Sequence, residues 1–83
     1  MGYMYGERKR TFKELQKIIL KTLLKGKATA YDLTKANKLH FNVVSHQLIL
    51  LKGHDHITLD FEHNRFRLYA ITEKGTKYLR KIA

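Results

Sequence analysis

The chain has 83 residues, with 17 Lys and Arg against 7 Asp and Glu, a formal net charge of +10, and no cysteine. A chain of this length makes one small domain burying roughly 60–65% of its unfolded surface, and without thiols it has neither disulfides nor cysteine-based zinc sites to staple it. No apolar run is long enough to span a bilayer and no signal-peptide layout is present, so the charge points to a polyanion, with nucleic acid ahead of an anionic membrane surface.

Residues 1–10 show no clear period and end in Arg8-Lys9-Arg10; they read as a basic arm or an extra strand before a domain at 11–83. Thr11-Phe12-Lys13-Glu14 is a capping box that starts a helix over about Phe12 to Lys25, stopped at Gly26. At 100° per residue Phe12, Leu15, Ile18, Ile19, Thr22 and Leu23 share its inner side, while Lys13, Lys17, Lys21 and Lys25 form a basic stripe on the other. That stripe reads as a solvated face ahead of a phosphate contact. Leu20 and Leu24 widen the apolar arc beyond what core burial requires. They imply a second contact surface, against the arm with Tyr3, Met4 and Tyr5 or against the same helix of another subunit.

A two-turn helix is expected from about Ala30 to Asn37, capped by Thr29, with Leu33 and Ala36 inward and Tyr31, Thr34 and Lys35 outward. Asn37 to His40 make the turn, with Asn37 or Lys38 in the left-handed position and Leu39 plugging the core. A third helix over about Phe41 to Lys52, closed by Gly53, turns Val44, Gln47, Leu48 and Leu51 inward. Asn42, Ser45, His46, Ile49 and Lys52 face outward.

Ile57, Leu59 and Phe61 then alternate with polar residues, and the alternation resumes at Phe66, Leu68 and Ala70, which predicts a β-hairpin. A two-residue loop at His63-Asn64 would pair Phe61 with Phe66, Leu59 with Leu68 and Ile57 with Ala70 on one face. On the other face it would pair Glu62 with Arg65 and Asp60 with Arg67. A last helix, about Glu73 to Ile82, carries Gly75, Tyr78, Leu79 and Ile82 on one face and basic residues on the other.

Two helices joined by a tight turn and followed at once by a hairpin make the order of a winged helix-turn-helix. The stretch Leu33-Thr34-Lys35-Ala36-Asn37-Lys38-Leu39-His40-Phe41-Asn42-Val43-Val44-Ser45-His46-Gln47-Leu48 resembles the helix-turn-helix of winged-helix transcription regulators. Tyr69-Ala70-Ile71-Thr72-Glu73-Lys74-Gly75, leading into the last helix, is similar to the end of the wing in MarR-, ArsR- and PadR-type regulators, small archaeal ones in particular. The resemblance covers roughly residues 12 to 82. It implies an α+β fold with a three-helix core, a small three-stranded sheet that includes the β-hairpin wing, and a short C-terminal helix. It also implies sequence-selective binding of double-stranded DNA, often by a homodimer. His40 stands where Ser or Thr commonly caps the recognition helix, and imidazole caps poorly.

A helix in the major groove reads bases near its amino end, so Asn42, Ser45 and His46 are the expected base readers, with Phe41 and Val43 as contacts to thymine methyls. Tyr31, Lys35, Lys38 and His40 cluster at the turn as phosphate contacts, and His63, Asn64 and Arg65 of the wing lie beside the minor groove. Leu20, Leu24, Ile49 and Leu50 are candidates for a dimer interface. The acidic residues offer no catalytic pair and no phosphate loop is present, so an enzyme, a small-molecule substrate and a cofactor are not expected. His54-Asp55-His56 with His63 could ligate a metal, but two exposed histidines in a turn is the commoner arrangement, and no metal is expected. The leading expectation is a cytoplasmic, nucleoid-associated transcription regulator. A sequence-neutral DNA-coating or chromatin protein and a winged-helix protein-interaction module are the alternatives.

Overall fold

The computed structural model describes residues 11–83; the expected arm lies outside them. The elements run α1 (Phe12–Lys25), α2 (Ala30–Asn37), α3 (Phe41–Gly53), β1 (Ile57–His63), β2 (Phe66–Ile71) and α4 (Glu73–Ile82). This is the α+β winged helix-turn-helix that the element order predicts.

Three of the four helix starts are capped by a threonine side chain. The Glu14 amide donates to Thr11 Oγ1 at 3.1 Å while the Thr11 amide donates to Glu14 Oε1 at 2.9 Å, closing the expected box. Thr29 and Asp32 form a second box at α2, both bonds at 3.1 Å. Thr72 caps α4 by accepting from the Gly75 amide at 2.9 Å. His40 precedes α3 without a side-chain cap, in keeping with the poor capping power of imidazole. Lys38 ends α2 in the left-handed region at φ 53°, and Leu39 folds back against the core.

The core is built from Ile19, Leu20 and Leu23 of α1, Leu33 of α2, Val44, Leu48 and Leu51 of α3, Ile57 of β1 and Leu79 of α4. The buried face of α1 is Gln16, Ile19, Leu20 and Leu23, rotated from the expected one: Phe12 is exposed and Leu15 and Ile18 are only half-buried. The cause is α4, which packs on α1 from the far end of the sequence and whose Tyr78 hydroxyl donates to Gln16 Oε1 at 2.6 Å. α1 also touches α2, α3 and β2, so it is the central helix and needs a wide apolar arc. Leu20, expected at a subunit interface, is 0% exposed and belongs to the core. Ala36, expected inside, is exposed because two turns of α2 present only Leu33 fully to the core.

The hairpin differs from its expected register. The loop is Asn64-Arg65, and His63 pairs with Phe66, Glu62 with Arg67 and Phe61 with Leu68. Asn64 alone in the hairpin has positive φ, 56°, and it takes the first loop position. Between Leu59 and Phe61 the ladder bulges, after which Leu59 pairs with Tyr69, Thr58 with Ala70 and Ile57 with Ile71. The extra residue reverses the alternation, so Ile57 and Leu59 face the helices with Tyr69 while Phe61 turns to the opposite face with Leu68 and Phe66. Phe61 and Phe66 are accordingly 51% and 50% exposed, their rings edge to face at 5.9 Å. Asp60 at the bulge pairs with Lys27 at 3.0 Å, not with Arg67, and Glu62 pairs with Arg67, not with Arg65. The third strand implied by the resemblance is reduced to one bridge, Ala28 to Tyr69, with amide bonds of 3.1 and 2.8 Å.

The turn before β1 carries a titrating group. The His56 ring stacks on Tyr78 at 4.2 Å, with His54 at 5.8 Å on that cluster, and its buried Nδ1 has no hydrogen-bond partner among the described residues. Burial, followed by the charges of His54 and Lys74, lowers the His56 pKa from 6.5, and Asp55 opposes the shift. The fold thus favours neutral imidazole, while the unfolded chain takes up a proton near the ordinary value. The contribution to stability is complete above that value and falls as pH drops below it toward the lowered one. Urea unfolding should therefore show a lower midpoint at about pH 5.5 than at about pH 7.5, a difference reduced in His56→Phe, which keeps the stack without the titration. An identical pH profile in the variant would move the effect elsewhere.

Candidate nucleic-acid interface

Helical geometry places Asn42, Ser45, His46 and Ile49 on one outward arc of α3, opposite the buried Val44, Gln47, Leu48 and Leu51. Asn42 and His46 are exposed and Ser45 is half-buried. Val43 lies to the side of this arc, half-buried, whereas Phe41 is exposed at the helix start. The absence of a side-chain cap at His40 leaves the first amides of α3 to donate to other partners.

α2 and the turn supply the next group. Tyr31 is exposed beside the capped start of α2, and Lys35 Nζ lies 5.3 Å from its ring centroid, a cation–π pair that keeps the ammonium in water. Lys38 and His40 are exposed in the turn. On the wing Arg67 is held by Glu62 at 2.9 Å. Arg65, at the loop, makes no ion pair among the described residues, and His63 and Asn64 flank it in the open. The bulge and the shifted loop decide this division between the two arginines.

A groove of about 510 Å³ runs between these parts. Phe41, Ser45 and Ile49 of α3 line one side, Tyr31 stands at α2, and Arg65 and Phe66 close it from the wing. The structure thus joins one candidate from each expected group, base reader, phosphate contact and wing, on a single concave surface. Phe66 was not among the expected site residues. It enters the groove's rim beside Arg65 because the loop lies one residue later than expected, a shift that leaves no trace in the alternation of the strands.

Of the residues expected at a dimer interface, Leu24 is 54% exposed, Ile49 is 70% exposed and Leu50 is half-buried. Among the described residues no group of three His, Asp or Glu side chains converges to hold a metal ion. No helix in the described residues is long and apolar enough to cross a membrane.

Neither a family model nor a curated protein sequence matches the chain. Solved structures share its fold. A transcriptional regulator from Clostridium thermocellum superposes with a TM-score of 0.77 at 19% identity, over 98% of this chain and 84% of that one. Bacillus subtilis PadR in complex with operator DNA gives 0.74 at 22% identity, over 88% and 48%. A MarR family regulator from Neisseria meningitidis gives 0.70 at 21%, over 94% and 56%. The chain therefore corresponds to about half the length of the latter two. At these identities the shared property is the winged helix-turn-helix fold.

Proposed function

We propose that the protein is a sequence-specific transcription regulator that binds double-stranded DNA with α3 in the major groove and the hairpin wing beside the minor groove. The observation that carries the reading is the outward arc of α3. Asn42, Ser45 and His46 offer donors and acceptors suited to base edges there; of the three, Ser45 also lines the groove with Tyr31 and with Arg65, which makes no ion pair among the described residues. One of the solved structures of this fold is of a PadR with its operator, which agrees with DNA as the partner. The net charge of +10 supplies the attraction to phosphate that any such complex needs. Such a protein works in the cytoplasm on the nucleoid.

Asn42 is suited to adenine, since its side-chain NH2 can donate to N7 while its Oδ1 accepts from the N6 amino group in a bidentate pair. His46 and Ser45 each offer one hydrogen bond to a base edge or phosphate. Lys35, Lys38, His40 and Tyr31 act on phosphates, and Arg65 with His63 and Asn64 extends the contact past the wing. A homodimer would present two α3 helices to major grooves about one helical turn apart. Leu24, the exposed leucine of α1, is the residue proposed to seed it.

The test is selection of random duplexes by the purified protein at about 0.15 M salt, which screens much of the non-specific attraction. An inverted repeat is expected. Recovery of DNA without a motif would support a sequence-neutral coating protein, for which the charge alone suffices. With a motif in hand, Asn42→Ala and His46→Ala should each relax the preference at a particular base pair by about 1–3 kcal/mol while leaving affinity for unrelated DNA nearly unchanged. Equal losses on every sequence would remove both from base reading.

A further inference from the structure

The reading above leaves one residue of the arc unexplained. Ile49 is 70% exposed, the most exposed large apolar side chain among the described residues. It lies seven positions after Asn42, which at 100° per residue brings it to within about 20° of the same line along α3. In angle it lies between Asn42 and Ser45, so a surface that meets both of those and continues along the helix meets Ile49. Along the axis it sits about 10 Å further on, the span of about three base steps.

The groove beside it adds a second apolar side chain, since Phe41 and Ile49 line the same wall with Ser45 between them. The surroundings hold more cations than anions: Lys52 and Arg67 against Glu62 in a smaller hollow shared with Ile49, and Arg65 and Arg67 against Asp32 in the groove. An apolar side chain in a positively charged groove fits a polyanion that carries apolar groups. In the major groove adenine, guanine and cytosine present hydrogen-bonding atoms, and thymine alone adds a methyl group.

The geometry points to Ile49 as a specificity-determining residue that selects thymine through its 5-methyl group, about three base pairs from the pair met by Asn42. This rests on the DNA-binding reading of α3. Methyl burial against Ile49 rewards thymine, and an isoleucine over any other base edge strips water from polar atoms and returns no hydrogen bond.

The experiment uses the duplex recovered by selection, with each thymine replaced singly by deoxyuridine, which removes the methyl and keeps the base pair. One such replacement, about three base pairs from the position relaxed in Asn42→Ala, should weaken binding about fourfold, the equivalent of one buried methyl group. Ile49→Ala should bind the thymine and deoxyuridine duplexes alike; the exposure of the site protects its folding, checked by an unchanged urea midpoint. Equal affinity of the wild type for all the duplexes, with sequence preference intact, overturns the inference and leaves the DNA reading standing. A deoxyuridine effect that persists in Ile49→Ala also overturns it. So does Ile49→Ala turning a dimer into a monomer with no methyl dependence, which assigns the side chain to a second copy of the chain. Absence of any sequence preference overturns the inference and the reading together.

Discussion

Gly75→Ala should lower stability by about 3 kcal/mol, a drop in Tm of roughly 12–24 °C for a domain this small. Gly75 is buried in the first turn of α4, and a Cβ there would collide with the carbonyl of His56, with the Ile71 side chain also close. That carbonyl is fixed, because it accepts the Thr72 amide at 3.1 Å while the Thr72 hydroxyl donates to the Asp55 carbonyl at 2.6 Å. A backbone atom tied at both ends cannot step aside as a flexible side chain would, so α4 must lift from the turn and take Leu79 partly out of the core. Gly53→Ala is the matched control. At the end of α3 its added methyl meets nothing within 4 Å and φ is not positive, so alanine should stabilise by about 0.4–1 kcal/mol by restricting the unfolded chain. Opposite signs for one chemical change, read by thermal unfolding, would establish close approach as the reason for Gly75. Equal small effects would show that the turn yields.

The triple variant Lys35→Ala, Lys38→Ala, Arg65→Ala should lose several hundredfold in DNA affinity at about 0.1 M salt. Each phosphate contact contributes about 0.9 to the salt slope, which is roughly eightfold per contact at that concentration. The slope itself should fall by about 2.7, and the loss should be the same on the selected motif and on unrelated DNA. Arg67→Ala is the comparison. Its guanidinium is engaged by Glu62 at 2.9 Å, so removing it should leave the slope nearly unchanged. A slope that responds to Arg67 as strongly as to Arg65 would mean that the ion pair opens on DNA and that the two arginines are equivalent.

The local signals were strong where a few neighbouring residues determine the outcome. The Thr11 capping box, the weak cap at His40 and the buried set Val44, Gln47, Leu48 and Leu51 follow from side-chain reach and helical period alone. Those left the left-handed position open between Asn37 and Lys38, and the structure places it at Lys38. The outward arc of α3 follows with them. The hairpin was legible as a hairpin but not in its register. The expected pairing satisfied both faces of an uninterrupted ladder, but the loop moves by one residue to Asn64-Arg65, which gives Glu62 to Arg67, and the bulge between Leu59 and Phe61 takes Asp60 out of the ladder.

By itself the sequence determined the element order, the winged helix-turn-helix class, the basic field and the polar side chains presented by α3, because period, capping and charge act within about one or two turns of chain. Only the tertiary structure decided that Leu20 is core, that Arg65 and not Arg67 is without an ion pair among the described residues, and that Phe66 and Ile49 line one groove with Tyr31. Those outcomes depend on α4 packing against α1 and on the bulge at Asp60, contacts between segments far apart in sequence or an irregularity in the ladder, which no local periodicity encodes.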